Sequence, residues 1–551
     1  MTEFSGLKSI FQNRFLFYFL VSLVIILRVK HEIYFPAVES DDGVIIEAAK
    51  NFTNGMGFSN CDAGISDLSK MTITPLTMWP IGYSILLVPI YLVFKNWFVA
   101  CIFWQSIGVL ALIFFMYRIL KLFNVSQNTL YLFLLFMAFT PTPFYYSGTT
   151  DVLSVDIFLW CTYIILKCSV NDNFKWKHFL LIGFLSASSC FLRFASIPNL
   201  VIFPLLFIFL SFIKKEKKLL YGGVLTAIVS LVFVVLFFSV FKIDSGRTGF
   251  IDNIINLNFY YNHIKWFDSF PIKSFFYTTP IEYRLPVNMP ELIRYYRIGL
   301  HIASVLLLFF LGYKFLFLEK VYKFHWIQDL SRKSRLIYFY IFLLTSCVVI
   351  GFIALESLTT SPEKNSFGPP WMPQLWTFVY STRYFILLMI MLQIAFFVML
   401  SELAYSQKVF KLFSVSFFTI SFLFSFIFWV FTSYQIHSPN GNGGASYWNN
   451  CSEHVIFYDE INKISKNENK KVVFTSYNLP VNAPSMIYSM GYPCHNYSDL
   501  LSSELKHSSP LCLLIEIPQE QNEIEKIFRE KFSPTKIIKF KESILYRIDL
   551  K

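Results

Sequence analysis

Apolar runs about as long as a bilayer is thick, broken by short connectors rich in lysine and arginine, set the pattern of this chain. They lie near residues 14–30, 97–117, 128–146, 152–167, 178–195, 197–213, 219–241, 297–318, 336–355, 380–402 and 412–433. With the N-terminus inside, Arg118 and Lys121, Lys167, Lys175 and Lys177, the KKEKK cluster at 214–218, the basic residues of 320–335, and Lys408 with Lys411 all fall on the cytoplasmic side. The agreement requires that a further apolar run, residues 81–94, does not cross, because one more span would turn every later basic cluster outward. At about 14 residues the run is also short for a crossing helix and suits a re-entrant or interfacial one. Residues 30–96 are therefore expected to form one long extracytoplasmic loop carrying two membrane-surface helices. Lys8 and Arg14 precede the first run as in a signal peptide, but no small-residue cleavage site follows, and Arg28 and Lys30 close the segment as they would an uncleaved helix.

Beyond residue 434 the period changes. KVVFTSY at 471–477 and LCLLIEI at 511–517 read as buried strands, 519–532 as a helix, and 537–540 with 544–548 as a closing hairpin. NGNGG at 440–444 marks a linker. The expected architecture is an α-helical polytopic membrane protein of about eleven spans plus interfacial helices. It comprises a membrane domain over 1–434, with outer loops at 31–96, 242–294 and 356–377, and an extracytoplasmic α/β domain over 435–551.

Composition agrees with that division. Of 551 residues 55% are hydrophobic and 15% charged, against about 25% charged in soluble domains. The net charge of +12 sits in the connectors and orients the chain, so it forms no basic stripe for a nucleic acid, and no nucleic-acid partner is expected. The nine cysteines show no CxxC and no metal-ligand spacing. Cys61, Cys451, Cys494 and Cys512 fall outside the spans, where both a disulfide and free thiols remain open. No HxxxH, Gly-x-Ser-x-Gly or phosphate-loop pattern is present, which removes support for zinc enzymes, serine hydrolases and nucleotide-driven pumps.

The chemistry-bearing residues gather at the expected outer ends of the spans. Asp41 and Asp42 open a short helix in which Val44, Ile45, Ala48, Ala49 and Phe52 recur at helical spacing as the face for lipid or bundle. Gly55 and Gly57 supply its C-terminal cap. The structural alternative for Asp41 is a helix cap and nothing more. Asp151 starts the fourth span and Asp156 follows inside it, where a carboxylate belongs to the bundle interior rather than to lipid. Arg193 closes the fifth span and Arg383 opens the tenth. Paired with carboxylates they make an anion site, because a guanidinium grips phosphate bidentately; taken singly, each fits a side chain snorkelling to the headgroups.

In its ordered motifs the chain resembles the GT-C superfamily of polytopic glycosyltransferases, which includes protein O-mannosyltransferases and lipid A aminoarabinose transferases. Asp41-Asp42, then Ala49-Lys50-Asn51-Phe52 and Gly55-Met56-Gly57-Phe58, is similar to that superfamily's acidic pair followed by A-R-N-L-x-x-G-x-G-[FY]. Thr74-Pro75 and Trp79-Pro80-Ile81-Gly82-Tyr83 are similar to its Pro-rich turn and surface helix, residues 146–151 to its second acidic site, 192–197 to an R-[FY]-A-G-[LI] stretch, and Arg383-Tyr384 to a late R-Y motif. Where that superfamily often has a tyrosine after the acidic pair, this chain has Val44 and Ile45. The resemblance implies a bundle of GT-C type in a bacterial inner (plasma) membrane, and inverting transfer of a sugar from a polyprenyl-phosphate donor to a glycan, lipid or protein acceptor. It implies Asp41 as general base and Asp42 or Asp151 as acceptor-orienting groups or ligands of a divalent cation. Arg193 and Arg383 fall on the leaving phosphate, and Asp156, Trp79 and Tyr83 among the substrate contacts. The competing classes are a polysaccharide polymerase and a transporter of lipid-linked glycans; the latter would more often show repeated halves and broken helices at mid-membrane.

Overall fold

The computed structural model describes residues 3–34, 40–64, 66–77, 79–139, 149–241, 386–406, 461–467, 471–476, 492–494, 506–518, 526, 530, 532, 534–539 and 543–550. The spans expected near 297–318, 336–355 and 412–433, the loops 242–294 and 356–377, the linker and most of the helix expected at 519–532 lie outside them. In chain order the elements are α1 (Glu3–Tyr34), α2 (Ser40–Thr53), β1 (Ser59–Ala63), β2 (Met71–Pro75), α3 (Gly82–Phe94), α4 (Trp97–Leu122), α5 (Gln127–Phe139), α6 (Thr149–Val170) and α7 (Trp176–Leu192). A 3-10 turn, Phe194–Ser196, leads to α8 (Asn199–Lys214) and α9 (Lys217–Phe241). Then follow α10 (Ile386–Ser406) and the strands β3 (Lys471–Ser476), β4 (Tyr492–Pro493), β5 (Leu511–Pro518), β6 (Thr535–Lys539) and β7 (Ser543–Leu550). They fall into two compact units: Met1–Ile33 with Gln105–Phe431, and Tyr34–Trp104 with Thr432–Lys551.

The first unit is helical. Among the described residues three helices, Val99–Leu122, Thr150–Val170 and Lys217–Phe241, are long and apolar enough to cross a membrane. The shorter α5, α7 and α8 are equally apolar, and α8 carries Pro204 within it. Helices in lipid gain nothing from burying one apolar surface on another, so close approach and interhelical hydrogen bonds must hold them. The contact of α9 with α7 and α8 is built that way. A Cβ on Gly222 would lie 2.2 Å from the Phe179 ring, and one on Gly223 2.9 Å from the Pro204 carbonyl. One and two turns on, the Thr226 hydroxyl donates to the Phe179 carbonyl at 3.2 Å and the Ser230 hydroxyl to that of Gly183 at 3.0 Å. Elsewhere on α9, Leu231, Val232, Val235, Leu236 and Val240 are exposed, as on a helix that faces lipid. The bundle core is aromatic: Phe179 meets Phe207 edge-on at 4.8 Å, and Phe133 of α5 meets Phe397 of α10 at 5.3 Å.

The second unit is built on a five-stranded sheet of order β4-β3-β5-β7-β6, parallel at β4-β3-β5 and antiparallel from β5 onward. Side chains alternate across it as the pleat demands. Val472, Phe474, Cys512, Leu514 and Leu545 meet Ile461 of the helical stretch 461–467 on one face. On the other face Val473, Leu511, Leu513, Ile515 and Tyr546 meet Ala63 and Leu68. Those two residues belong to the segment that follows α1, so this core draws on both ends of the chain. α3 has 13 residues, about 20 Å of helix, well short of a hydrocarbon core of about 30 Å. It packs on α2 in the same unit.

Candidate functional site

Helix α2 places Asp41 and Asp42 in its first turn, where backbone N–H groups lack helical partners and the dipole favours negative charge; their side chains lie outside what the structure describes. Its other end closes in a Schellman turn. Met56 N–H bonds the Asn51 carbonyl at 2.9 Å, Gly55 N–H bonds the Phe52 carbonyl at 3.1 Å, and Gly55 takes φ +80°. Gly57 follows at φ +71°, so both glycines occupy left-handed backbone. Asn51 is part of the same corner, its side-chain amide donating to the Ser59 carbonyl at 2.7 Å and to the Cys61 thiol at 3.1 Å.

The buried face of α2 differs from the single stripe expected. Ile45, Ala48 and Ala49 are buried, but so are Ile46, Glu47 and Asn51, while Phe52 is 44% exposed and stacks on Phe58. The helix is covered on two sides. The Ser84 hydroxyl of α3 donates to the Ile45 carbonyl at 2.7 Å, and β1 packs on the other side, its Cys61 N–H donating to Glu47 Oε1 at 2.9 Å. Burial lifts the Glu47 carboxyl to about 7, against the pull of the Cys61 N–H and Lys50; Asp62 adds to the lift. Burial likewise lowers Lys50 to about 8, with Glu47 and Cys61 opposing. Sequence reasoning missed Glu47, although one carboxylate inside VIIEAA was the available signal. Tyr83 is wholly buried in the first turn of α3, and Trp79, ahead of it, is half-buried.

In the helical unit the structure joins two of the expected residues. Asp151, in the first turn of α6, is fully buried and forms an ion pair with Arg193, which follows α7 and whose side chain is 15% exposed. Neither group merely snorkels; each neutralises the other in a place where an isolated charge would be costly. Arg193 is fixed further by its own N–H, which bonds the Ser189 carbonyl at 3.0 Å. Asp156, farther along α6, is also buried, and neither of its carboxylate oxygens has a hydrogen-bond partner among the described residues. It lies beside Gly108 of α4, where a Cβ would come 3.5 Å from Asp156 Oδ2 and 3.2 Å from Val152 and Leu153. The missing side chain at 108 is what lets α4 approach.

Arg383 lies outside the described residues. Among those described, no group of three or more His, Cys, Asp or Glu residues is placed to hold a metal ion. Cys61, Cys494 and Cys512 are buried, and burial together with Glu47 pushes Cys61 to about 11. Cys451 lies outside the described residues.

No protein-family model matches this chain, and no curated protein matches it in sequence. Several solved structures are similar to it. One is ArnT from Cupriavidus metallidurans bound to undecaprenyl phosphate, at a TM-score of 0.46 and 9% identity over 96% of this chain and 97% of that one. The same protein in the apo state gives 0.44 and 10% over the same shares. The archaeal oligosaccharyltransferase AglB from Archaeoglobus fulgidus, in complex with an inhibitory peptide and a dolichol-phosphate, gives 0.42 and 9% over 93% of this chain and 71% of that one.

Proposed function

We propose that this protein is a membrane glycosyltransferase that moves a sugar from a polyprenyl-phosphate-linked donor to an acceptor on the extracytoplasmic side, with inversion. The observation that carries the reading is the corner at the end of α2. The motif residues Asn51, Gly55 and Gly57, noted for their resemblance to glycosyltransferases, each have a physical task there: a tether to β1 and two left-handed backbone positions. They frame the helix whose first turn holds the acidic pair. Asp41 would take the proton of the acceptor hydroxyl as that oxygen attacks the anomeric carbon. The bond from that carbon to the phosphate oxygen breaks, and the polyprenyl phosphate leaves with the electron pair. Arg193, oriented by Asp151, and Arg383 would stabilise the charge growing on the phosphate. Asp42 would orient the acceptor or help hold a divalent cation, and Asp156, Trp79 and Tyr83 would contribute to substrate binding.

The test is transfer from polyprenyl-phosphate sugars by the full-length protein in lipid, comparing wild type with Asp41→Asn. Asparagine serves a helix N-terminus about as well as aspartate, so folding should be unchanged while turnover falls roughly 10²–10⁴-fold, the usual contribution of a general base. Full turnover by Asp41→Asn would remove Asp41 from the mechanism. Native mass spectrometry of the wild type in its own lipids should find a polyprenyl phosphate, with or without its sugar.

A further inference from the structure

The turn between β1 and β2 is tied to the strands of the tail by a compact set of bonds. Asp67 Oδ1 accepts from Ser69 N–H at 3.0 Å, the Ser69 hydroxyl at 2.5 Å and Ser508 N–H at 3.0 Å. The two serine hydroxyl oxygens lie 2.7 Å apart. Lys471, at the start of β3, donates to the Ser69 carbonyl at 2.9 Å, and Leu68 N–H donates to the Lys506 carbonyl at 2.8 Å. These bonds hold the Asp67 carboxyl well below the usual carboxylate range, the Ser69 hydroxyl contributing most and Ser508 next. Beneath them Leu68 and Ala63 are buried on the apolar face of the sheet.

The connection continues through β1. Ser59, Cys61 and Ala63 alternate onto its buried side. Ala63 meets the sheet, while the Cys61 N–H donates to Glu47 of α2 and the Ser59 carbonyl accepts from Asn51. An unbroken path of packed and hydrogen-bonded groups therefore runs from the tail's strands to the helix that carries the acidic pair, all within one compact unit.

We propose that Asp67 is a positioning residue: by clasping Ser69 and Ser508 it seats β1 on the tail's sheet, and through β1 it fixes the orientation of α2 and of the acidic pair at its start. The catalytic consequence rests on the transferase reading above; the mechanical coupling does not. It follows that the tail domain is part of the apparatus that sets the geometry of the acidic pair.

The test uses the full-length protein in lipid nanodiscs and reads two quantities, amide hydrogen exchange in residues 40–53 and the kinetics of sugar transfer. Asp67→Ala should raise exchange throughout α2 about tenfold or more, as loss of a set of hydrogen bonds to one carboxylate implies. It should lower kcat severalfold while leaving the donor KM unchanged. Asp67→Asn keeps the accepting Oδ1 and should stay close to wild type in both. Adding Ser69→Cys and Ser508→Cys to Asp67→Ala places two sulfurs where the hydroxyl oxygens almost touch. Once oxidised to a disulfide, identified as a cross-linked peptide by mass, it should restore both protection and kcat. Wild-type exchange of α2 in Asp67→Ala overturns the coupling, and restored protection without restored kcat overturns the positioning role. A wild type that transfers no sugar from any polyprenyl-phosphate donor defeats the transferase reading, and the exchange comparison then decides the coupling alone.

Discussion

Glutamine at position 47 should make the second unit less sensitive to pH, and the effect is large enough to measure. Glu47 is 4% exposed, so its electrostatics are not screened away by solvent. Its carboxyl titrates at about 7 in the packed unit against an ordinary value of 4.5. Between those values the native state holds a proton that the unfolded chain has released. Stability must therefore fall as pH rises from 4.5 to about 7, and level off above. That gap is worth ~3 kcal/mol, or about a hundredfold in the opening equilibrium. Lys50, lowered to about 8, acts in the opposite sense only above that pH, so the window below about 7.5 belongs to Glu47. Glu47→Gln retains an oxygen for the Cys61 N–H and removes the titration. The assay is amide exchange in the peptides covering α2 and β1, corrected for the intrinsic pH dependence of exchange, from pH 5 to 7.5. Wild-type protection should decline by about two orders of magnitude across this range, while the variant's stays level. A level wild-type profile, or an equal decline in the variant, would refute the burial argument.

Separating the Asp151–Arg193 pair leaves one charge buried alone, which costs about 3–5 kcal/mol. Asp151→Asn and Arg193→Gln should each lower the thermal midpoint in detergent, and the double variant should lose clearly less than the sum of the two. Gly222→Ala places a methyl group 2.2 Å from the Phe179 ring; overpacking of this kind costs about 1–3 kcal/mol and should depress the same midpoint. Gly55→Ala meets no neighbour within 4 Å, so its penalty comes from φ alone. It should cost about 1 kcal/mol, visible as faster exchange at the end of α2 with the bundle unaffected.

The helices were legible because their apolar content is a local property: α4, α6, α7, α8 and α9 begin or end within a few residues of the runs that announce them. β3, β5 and β7 were legible for the same reason, being dense in Val, Ile and Leu between polar stretches. β1 and β2 were not. SNCDA buries only small residues and MTITP is mostly exposed, so neither shows the apolar alternation that marks a strand. The two-sided burial of α2 escaped because an apolar stripe implies one covered face, whereas the second cover uses a carboxylate and an amide. Asp151 and Arg193 were each conspicuous as charges at helix ends; that they meet depends on α6 lying beside α7, which no local pattern encodes. The shared core of Ala63 and Leu68 with the sheet is likewise a contact between distant segments.

That distance sets an order of events during synthesis. Ser69 and Ser508, whose hydroxyls meet in the clasp, are 439 positions apart. At ribosomal speeds of roughly 5–20 residues per second, about 20–90 s pass between their emergence. Through that interval α2 exists, but the strands that receive Leu68 and Ala63 have yet to be made. On this reading the acidic pair is seated only when those strands arrive, and a chain halted earlier leaves the apolar face of Leu68 and Ala63 uncovered. Arrival of the tail's strands acts as the latch on the site.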